Sequence, residues 1–279
     1  MKPLEYWTPN GFETLSYKNS LKERINKSFN TTGGDSTGLC TYTYNELGFR
    51  GDSIHKKGFK IMSIGCSNTE GVGVNDDETW SHQISKLIPN GVDFNLGWVG
   101  GSNDYISRTL ITFYEILKPD LVLIMYTSPL RREVYTKDNG VEPYMPTSAR
   151  EYMEETEDGK KIQKYLTELQ NDNEDLINWY KNHQLIKYFL ESKGCNWLWN
   201  GWFEIPTFPA TWYGIPKEYN DNRFDGNYFS PQIDKGVDGI HPGPKTNYEY
   251  ACNVYEYLRL NFPIYNLPYP SWKPAPKLI

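Results

Sequence analysis

The sequence predicts one α/β domain built on a parallel sheet, and three observations carry that expectation. Short apolar runs at 59–65, 92–97, 121–126 and 195–199 alternate with stretches of helical period. Strands that alternate with helices form βαβ units with right-handed crossovers, and hence a parallel sheet. The run from Leu121 to Tyr126 is apolar without alternation, as a central strand covered on both faces must be. No internal repeat or flexible linker divides the 279 residues, enough for one substantial core.

The elements follow in order. Residues 1–58 are polar, rich in Gly, Asn, Thr and Ser, and without sustained period; they read as an irregular preamble with a short helix around 18–27. Phe59–Gly65 is the first strand, ending in glycine. Asp76 or Asp77 can cap a helix that carries Trp80, Ile84, Leu87 and Ile88 at helical spacing. Val92–Gly97 is the second strand. Ser102, Asn103 and Asp104 offer caps for a helix through Leu117, with Ile106, Leu110, Phe113 and Leu117 on one face. Pro119-Asp120 opens the third strand.

Residues 134–158 read as a polar surface loop, and 159–193 as helical with a break near Asn171-Asp172-Asn173. Gly194 stops that helix before a strand at Cys195–Trp199. A long loop rich in Pro, Tyr, Trp and Asn spans 203–236. A final helix runs from Pro244 to about Leu260, before a Pro-rich tail at 266–279. The domain is expected over 59–265, with an insertion over about 130–235.

Composition narrows the function. A net charge of −6 argues against a nucleic-acid partner, whose phosphates demand a basic surface. No apolar run approaches the roughly 20 residues that cross a membrane, and the N-terminus lacks a signal peptide's apolar stretch. A soluble protein, cytoplasmic or virion-associated, is expected. Cys40, Cys66, Cys195 and Cys252 lack zinc-site spacing and read as buried free thiols. Alanine stands only at 149, 210, 251 and 275, the bias of an A+T-rich genome such as a phage or marine microbe. Tyr (22) and Trp (9) are abundant, a weak hint of a sugar- or acyl-binding groove.

In an open parallel sheet, ligands bind beyond the carboxyl ends of the strands. Ser67 follows the first strand, Gly97–Gly101 the second, and Thr127, Ser128 and Arg131 the third. Asp238-Gly-Ile-His241-Pro242 precedes the last helix. Acyl transfer needs a nucleophile, a base, a group that orients the base, and oxyanion donors. An Asp-x-x-His turn lets Asp238 reach the Nδ1 of His241, leaving Nε2 for Ser67. The N–H groups of Ser67 and Gly100 are candidate oxyanion donors.

Three segments together resemble the SGNH (GDSL-type) hydrolase superfamily: Ile64–Gly71 with its lead-in Asn45–Gly51, Asn95–Gly100, and Asp238–Pro242. The resemblance covers roughly 45–128 and 236–260. It implies a flavodoxin-like three-layer α/β/α fold, a Ser67-Asp238-His241 triad, an oxyanion role for Gly100, and no metal or organic cofactor. Two departures stand out. Cys66 replaces the family's Asp before the nucleophile. The third strand ends Met125-Tyr126-Thr127-Ser128-Pro129, without the family's Gly-x-Asn-Asp, whose Asn is a third oxyanion donor. Thr127, Ser128 or Arg131 are the candidates to replace it.

Plainer readings stand beside these. Ser67 could merely cap a turn, and Cys66 is the rival nucleophile, although strand alternation turns it toward the core. Arg131 with Glu133 reads equally as a structural ion pair, and Asp76-Asp77-Glu78 as a solvated helix start. His55, His82 and His183 have no partner pattern. Trp197, Trp199, Trp202 and Trp212 read as core before ligand platform. Two functions remain open: a serine esterase or deacylase on small-molecule or carbohydrate esters, and a non-catalytic glycan-binding or virion protein that keeps the fold.

Overall fold

The computed structural model describes residues 26, 28–31, 40–136, 140–144, 157, 160–161, 164, 168, 171–201, 223–224 and 232–268. Apart from Asn26, the helix expected near 18–27 lies outside them, as do most of the 203–236 loop and residues 269–279 of the tail.

The preamble is more regular than its composition suggests. β1 (Ser28–Thr31) and β2 (Cys40–Thr43) form an antiparallel pair. The two-residue β3 (Arg50–Gly51) then joins the main sheet. β4 (Phe59–Ile64) leads into a single turn, α1 (Ser67–Glu70). A 3-10 turn at Asp76–Glu78 precedes α2 (Trp80–Leu87), and its cap is Asn75. The cap of α2 is Thr79, whose side chain accepts from the His82 N–H, and not Asp76 or Asp77. β5 (Gly91–Asn95) is followed by α3 (Asn103–Leu117), capped by Ser102 alone of the three candidates.

β6 (Leu121–Tyr126) is wholly buried. The stretch expected as a loop from 134 instead begins in a hairpin of β7 (Arg132–Thr136) and β8 (Gly140–Tyr144). α4 (Asp172–Ser192) starts at the anticipated break, where Asn171 accepts from the Glu174 N–H. β9 (Asn196–Gly201), α5 (Pro244–Asn261) and a 3-10 turn at Pro263–Tyr265 follow.

The main sheet runs β3-β5-β4-β6-β9, parallel except for β3 at the edge. The fold is therefore a three-layer α/β/α sandwich whose parallel strands follow the flavodoxin-like order. Strand alternation sorts the core onto two faces. Met62, Ile64, Val122, Ile124, Trp197 and Trp199 pack with α3 and α4 on one face. Ile61, Leu121, Leu123, Met125 and Leu198 pack with α2 and α5 on the other. The span 130–235 is thus not simply an insertion, because β9 and α4 belong to the sheet and its cover. Trp197 and Trp199 are core, whereas Trp202 and Trp212 lie outside the described residues.

The order places the topological switch between β4 and β6, where ligands bind in such sheets. Among the described residues, no helix is long and apolar enough to cross a membrane.

One core position carries an acid. Asp93 on β5 is 1% exposed; its Oδ2 accepts from Ser81 Oγ at 3.2 Å, while Oδ1 has no partner. Burial pushes its carboxyl up to about 7. A folded-state value above the unfolded one favours folding at low pH, and that contribution is lost as pH rises toward about 7. Asp93→Asn, which cannot ionise, is expected to raise Tm over the native chain at about pH 8 and to give no gain at about pH 4. Thermal melts at the two pH values check this.

Candidate active site

Three loops meet at the carboxyl end of the sheet. The first begins as β4 ends: Cys66 is extended and buried, and Ser67 opens α1 only 7% exposed. Cys66 is 1% exposed, turned inward as strand alternation predicts.

The second loop is 234–243, and it is built to be rigid. Lys235 and Pro242 pair as an antiparallel bridge, and Gly243 N–H donates to Asp234 O at 3.0 Å. The Asp234 carboxylate accepts the N–H groups of Lys245 (3.0 Å) and Thr246 (2.9 Å), the otherwise unpaired donors of the first turn of α5. Burial alone would raise the Asp234 carboxyl; those donors outweigh it and hold it below its usual range.

This loop meets the segment after α1 through the backbone. Val237 N–H donates to Gly73 O, and Gly236 N–H to His241 O, each at 2.8 Å. Gly73, at φ +83°, leaves no room for a side chain: a Cβ would stand 2.8 Å from Asp238 Oδ1. The result is a relay between residues far apart in sequence. His241 Nε2 lies 2.9 Å from Ser67 Oγ, and His241 Nδ1 contacts Asp238 Oδ2. Asp238 Oδ1 accepts the N–H groups of Ile240 and His241, both at 3.1 Å. Burial works to raise the Asp238 carboxyl, but the imidazole and these two donors prevail and keep it below the usual carboxylate range. The His241 side chain is 24% exposed and that of Asp238 is 2% exposed, so the imidazole edge faces outward and its anchor is buried.

The third loop, 96–101, crosses the end of β4. Trp98 N–H donates to Gly65 O at 3.2 Å, and Gly101 N–H to Trp98 O at 2.9 Å. Gly100 at φ +74° is the third residue of that four-residue turn, the position at which a type II turn requires a positive φ. Asn95 clamps the loop from below: its Nδ2 donates to Thr69 O at 2.7 Å and its Oδ1 accepts from Gly97 N–H at 2.9 Å.

The residues after β6 are held from α3 and by a turn of their own. Thr127 is fully buried, and Asn103 grips its peptide from both sides: Oδ1 accepts Thr127 N–H and Nδ2 donates to Thr127 O, each at 3.0 Å. Ser128 Oγ accepts from Leu130 N–H at 3.4 Å, and Arg131 N–H returns to Ser128 O at 3.1 Å. Glu133 is not the partner of Arg131. It pairs with the buried Arg108, whose Nε lies 2.9 Å from Glu133 Oε2. Burial raises the Glu133 carboxyl, and Arg108 opposes that rise. Asp76-Asp77-Glu78 open a helical turn with none of the three buried, as expected, and Asp76 also accepts from Arg50 Nε at 2.8 Å. His183 is buried beside Trp179 and Trp199, with Nδ1 3.1 Å from the Tyr126 hydroxyl.

Sequence reasoning missed the framework that holds these loops. Arg50 is 2% exposed; its Nη1 donates to the carbonyls of Glu70 and Gly71 (both 2.8 Å) and its Nη2 to that of Val74 (3.1 Å). Asn95, Asn103 and Asp234 act in the same way, through backbone that lies elsewhere in sequence. No group of His, Cys, Asp and Glu among the described residues could hold a metal.

No family model matches the chain, and no curated protein does. Solved structures do, loosely. A protein assigned as a GDSL-like lipase from Bacteroides ovatus is 16% identical at TM-score 0.33, with 80% of this chain and 57% of that one covered. The present chain therefore spans little more than half of that protein's length. One assigned as an acylhydrolase from Bacteroides fragilis is 12% identical at TM-score 0.29, over 73% and 87%. A catalytic mutant of an acetylxylan esterase from Geobacillus stearothermophilus is 16% identical at TM-score 0.29, over 73% and 95%. Likeness at this level carries no weight for the chemistry, which rests on the side-chain geometry.

The Gly73 contact gives a direct test. Gly73→Ala is expected to destabilise by about 2–4 kcal/mol, from a positive φ plus a clash with Asp238. Gly194→Ala, where φ is +63° but nothing lies within 4 Å, should cost only about 1 kcal/mol. Urea unfolding of the two variants measures the difference.

Proposed function

We propose that this chain is a serine ester hydrolase in which Ser67 is the nucleophile, His241 the general base and acid, and Asp238 the residue that orients His241. The observation that carries the proposal is the 2.9 Å approach of His241 Nε2 to Ser67 Oγ, with Asp238 on the opposite ring nitrogen. An ionised Asp238 places the imidazole proton on Nδ1, which leaves the Nε2 lone pair for the serine hydroxyl.

In this scheme Ser67 Oγ attacks the ester carbonyl as Nε2 takes its proton. Nε2 then returns that proton to the departing alcohol oxygen. Water attacks the acyl-serine, giving a proton to Nε2, and the carboxylic acid leaves as Ser67 recovers its hydrogen. The developing oxyanion is stabilised by the backbone N–H groups of Ser67 and Gly100. Loop 96–101 supports that role, since it bonds to Gly65, next but one to Ser67, and carries Gly100 at φ +74° as the third residue of its turn. Asn103 is committed to Thr127, so a third donor beside the two backbone N–H groups falls to Thr127, Ser128 or Arg131. Without such a third donor the rate would be lower by roughly 10²–10³.

The alcohol portion is proposed to be a small or carbohydrate alcohol, with acetylated sugars and short acyl esters as the substrates to screen first. Ser67→Ala is expected to abolish turnover of p-nitrophenyl acetate, while Asp238→Asn lowers kcat on the order of 10³–10⁴ through the wrong imidazole tautomer. Steady-state assays on folded protein check both. Turnover that survives Ser67→Ala would remove Ser67 from the scheme. Glycan binding with no hydrolysis of any ester would favour a binding protein.

A further inference from the structure

We propose that Glu70 is a positioning residue: its buried carboxylate fixes the Trp98–Gly101 turn relative to Ser67, and so sets where Gly100 N–H points. The consequence for rate rests on the esterase reading; the geometry does not.

Glu70 stands one helical turn beyond Ser67 on α1 and is 1% exposed. Its Oε2 accepts Val99 N–H at 2.6 Å, and its Oε1 accepts the Tyr44 hydroxyl at 3.3 Å. Its own backbone is held at both ends. The Glu70 N–H donates to Cys66 O at 2.9 Å, and the Glu70 carbonyl takes Arg50 Nη1 at 2.8 Å. Glu70 thus shares one rigid body with the nucleophile's turn.

Val99 itself is 45% exposed, yet its N–H is taken by a carboxylate on a residue that is 1% exposed. Burying a carboxylate to do so is costly, because a charge leaves water for a few fixed donors. What the charged acceptor supplies is a short, directional bond at the second residue of the turn whose third residue is Gly100. Gly97 closes the approach: a Cβ there would meet Glu70 N at 2.1 Å, so the loop lies directly on α1. Asn95 ties the loop at Gly97, and Glu70 ties it at Val99. An oxyanion donor acts only if it is fixed before the charge develops.

The test uses the full chain and two readouts. The first is amide hydrogen exchange of the peptide spanning 96–102, with 120–126 as internal control. The second is kcat and KM on p-nitrophenyl acetate, normalised to active sites. In Glu70→Ala, exchange at 96–102 is expected to rise at least about 10-fold with the control unmoved. Its kcat should fall about 10–100-fold with KM changed less than about twofold. Glu70→Gln, which keeps an acceptor for Val99, should recover to within about fivefold of the native rate.

Val99→Pro guards against a variant that fails to fold. Proline suits the second position of a type II turn and deletes the N–H that Glu70 accepts. In that background Glu70→Ala should change kcat less than about twofold. Native exchange in Glu70→Ala, a Gln variant as slow as the Ala variant, or an undiminished effect in the Val99→Pro background would each overturn the proposal. If the native chain hydrolyses no ester, the esterase reading falls and the exchange result alone decides the positioning.

Discussion

The site depends on the meeting of two loop backbones, Gly73 with Gly236 and Val237. Asp238 and His241 lie at the far end of the chain from Ser67. The Val237-to-Gly73 hydrogen bond ties their loop to the residues that follow α1, and the Gly236-to-His241 bond closes that loop on itself. Main-chain contacts of this kind allow little rotameric freedom, so the loop presents its side chains at a fixed depth. The absence of a side chain on Gly73 then lets Asp238 sit where it can reach the imidazole.

Around that contact the protein spends buried polar groups on backbone. Arg50 holds the segment after α1, Asn103 the peptide after β6, and Asp234 the start of α5. Each is worth little as a source of net stability, because desolvation cancels most of the gain. Their combined effect is geometric: the loops at one end of an ordinary α/β/α core are locked to one another. The two apolar layers supply the stability, and the polar framework supplies the placement.

Much of the architecture was legible in the sequence because it is written locally. The uninterrupted apolar run of β6, the helical period after Asn103 and the Pro244 start of α5 all depend on residues close in sequence. The Asp-x-x-His turn is local too, and the Asp238–His241 contact follows from that spacing. What was not legible depends on partners distant in the chain. Asn103 looked like a helix cap, yet it serves Thr127; Glu133 looked like a partner for Arg131, yet Arg108 holds it. The β1–β2 and β7–β8 hairpins also escaped notice, since short pairs outside the main sheet need no strong apolar alternation.

The central claim is that Ser67, and not the neighbouring Cys66, is made nucleophilic by His241. The most direct measurement is reaction of the native chain with a fluorophosphonate, followed by intact mass and peptide mapping. The account predicts one adduct per chain, located on Ser67 and lost in His241→Ala. An adduct on Cys66, or none on folded protein, would contradict it.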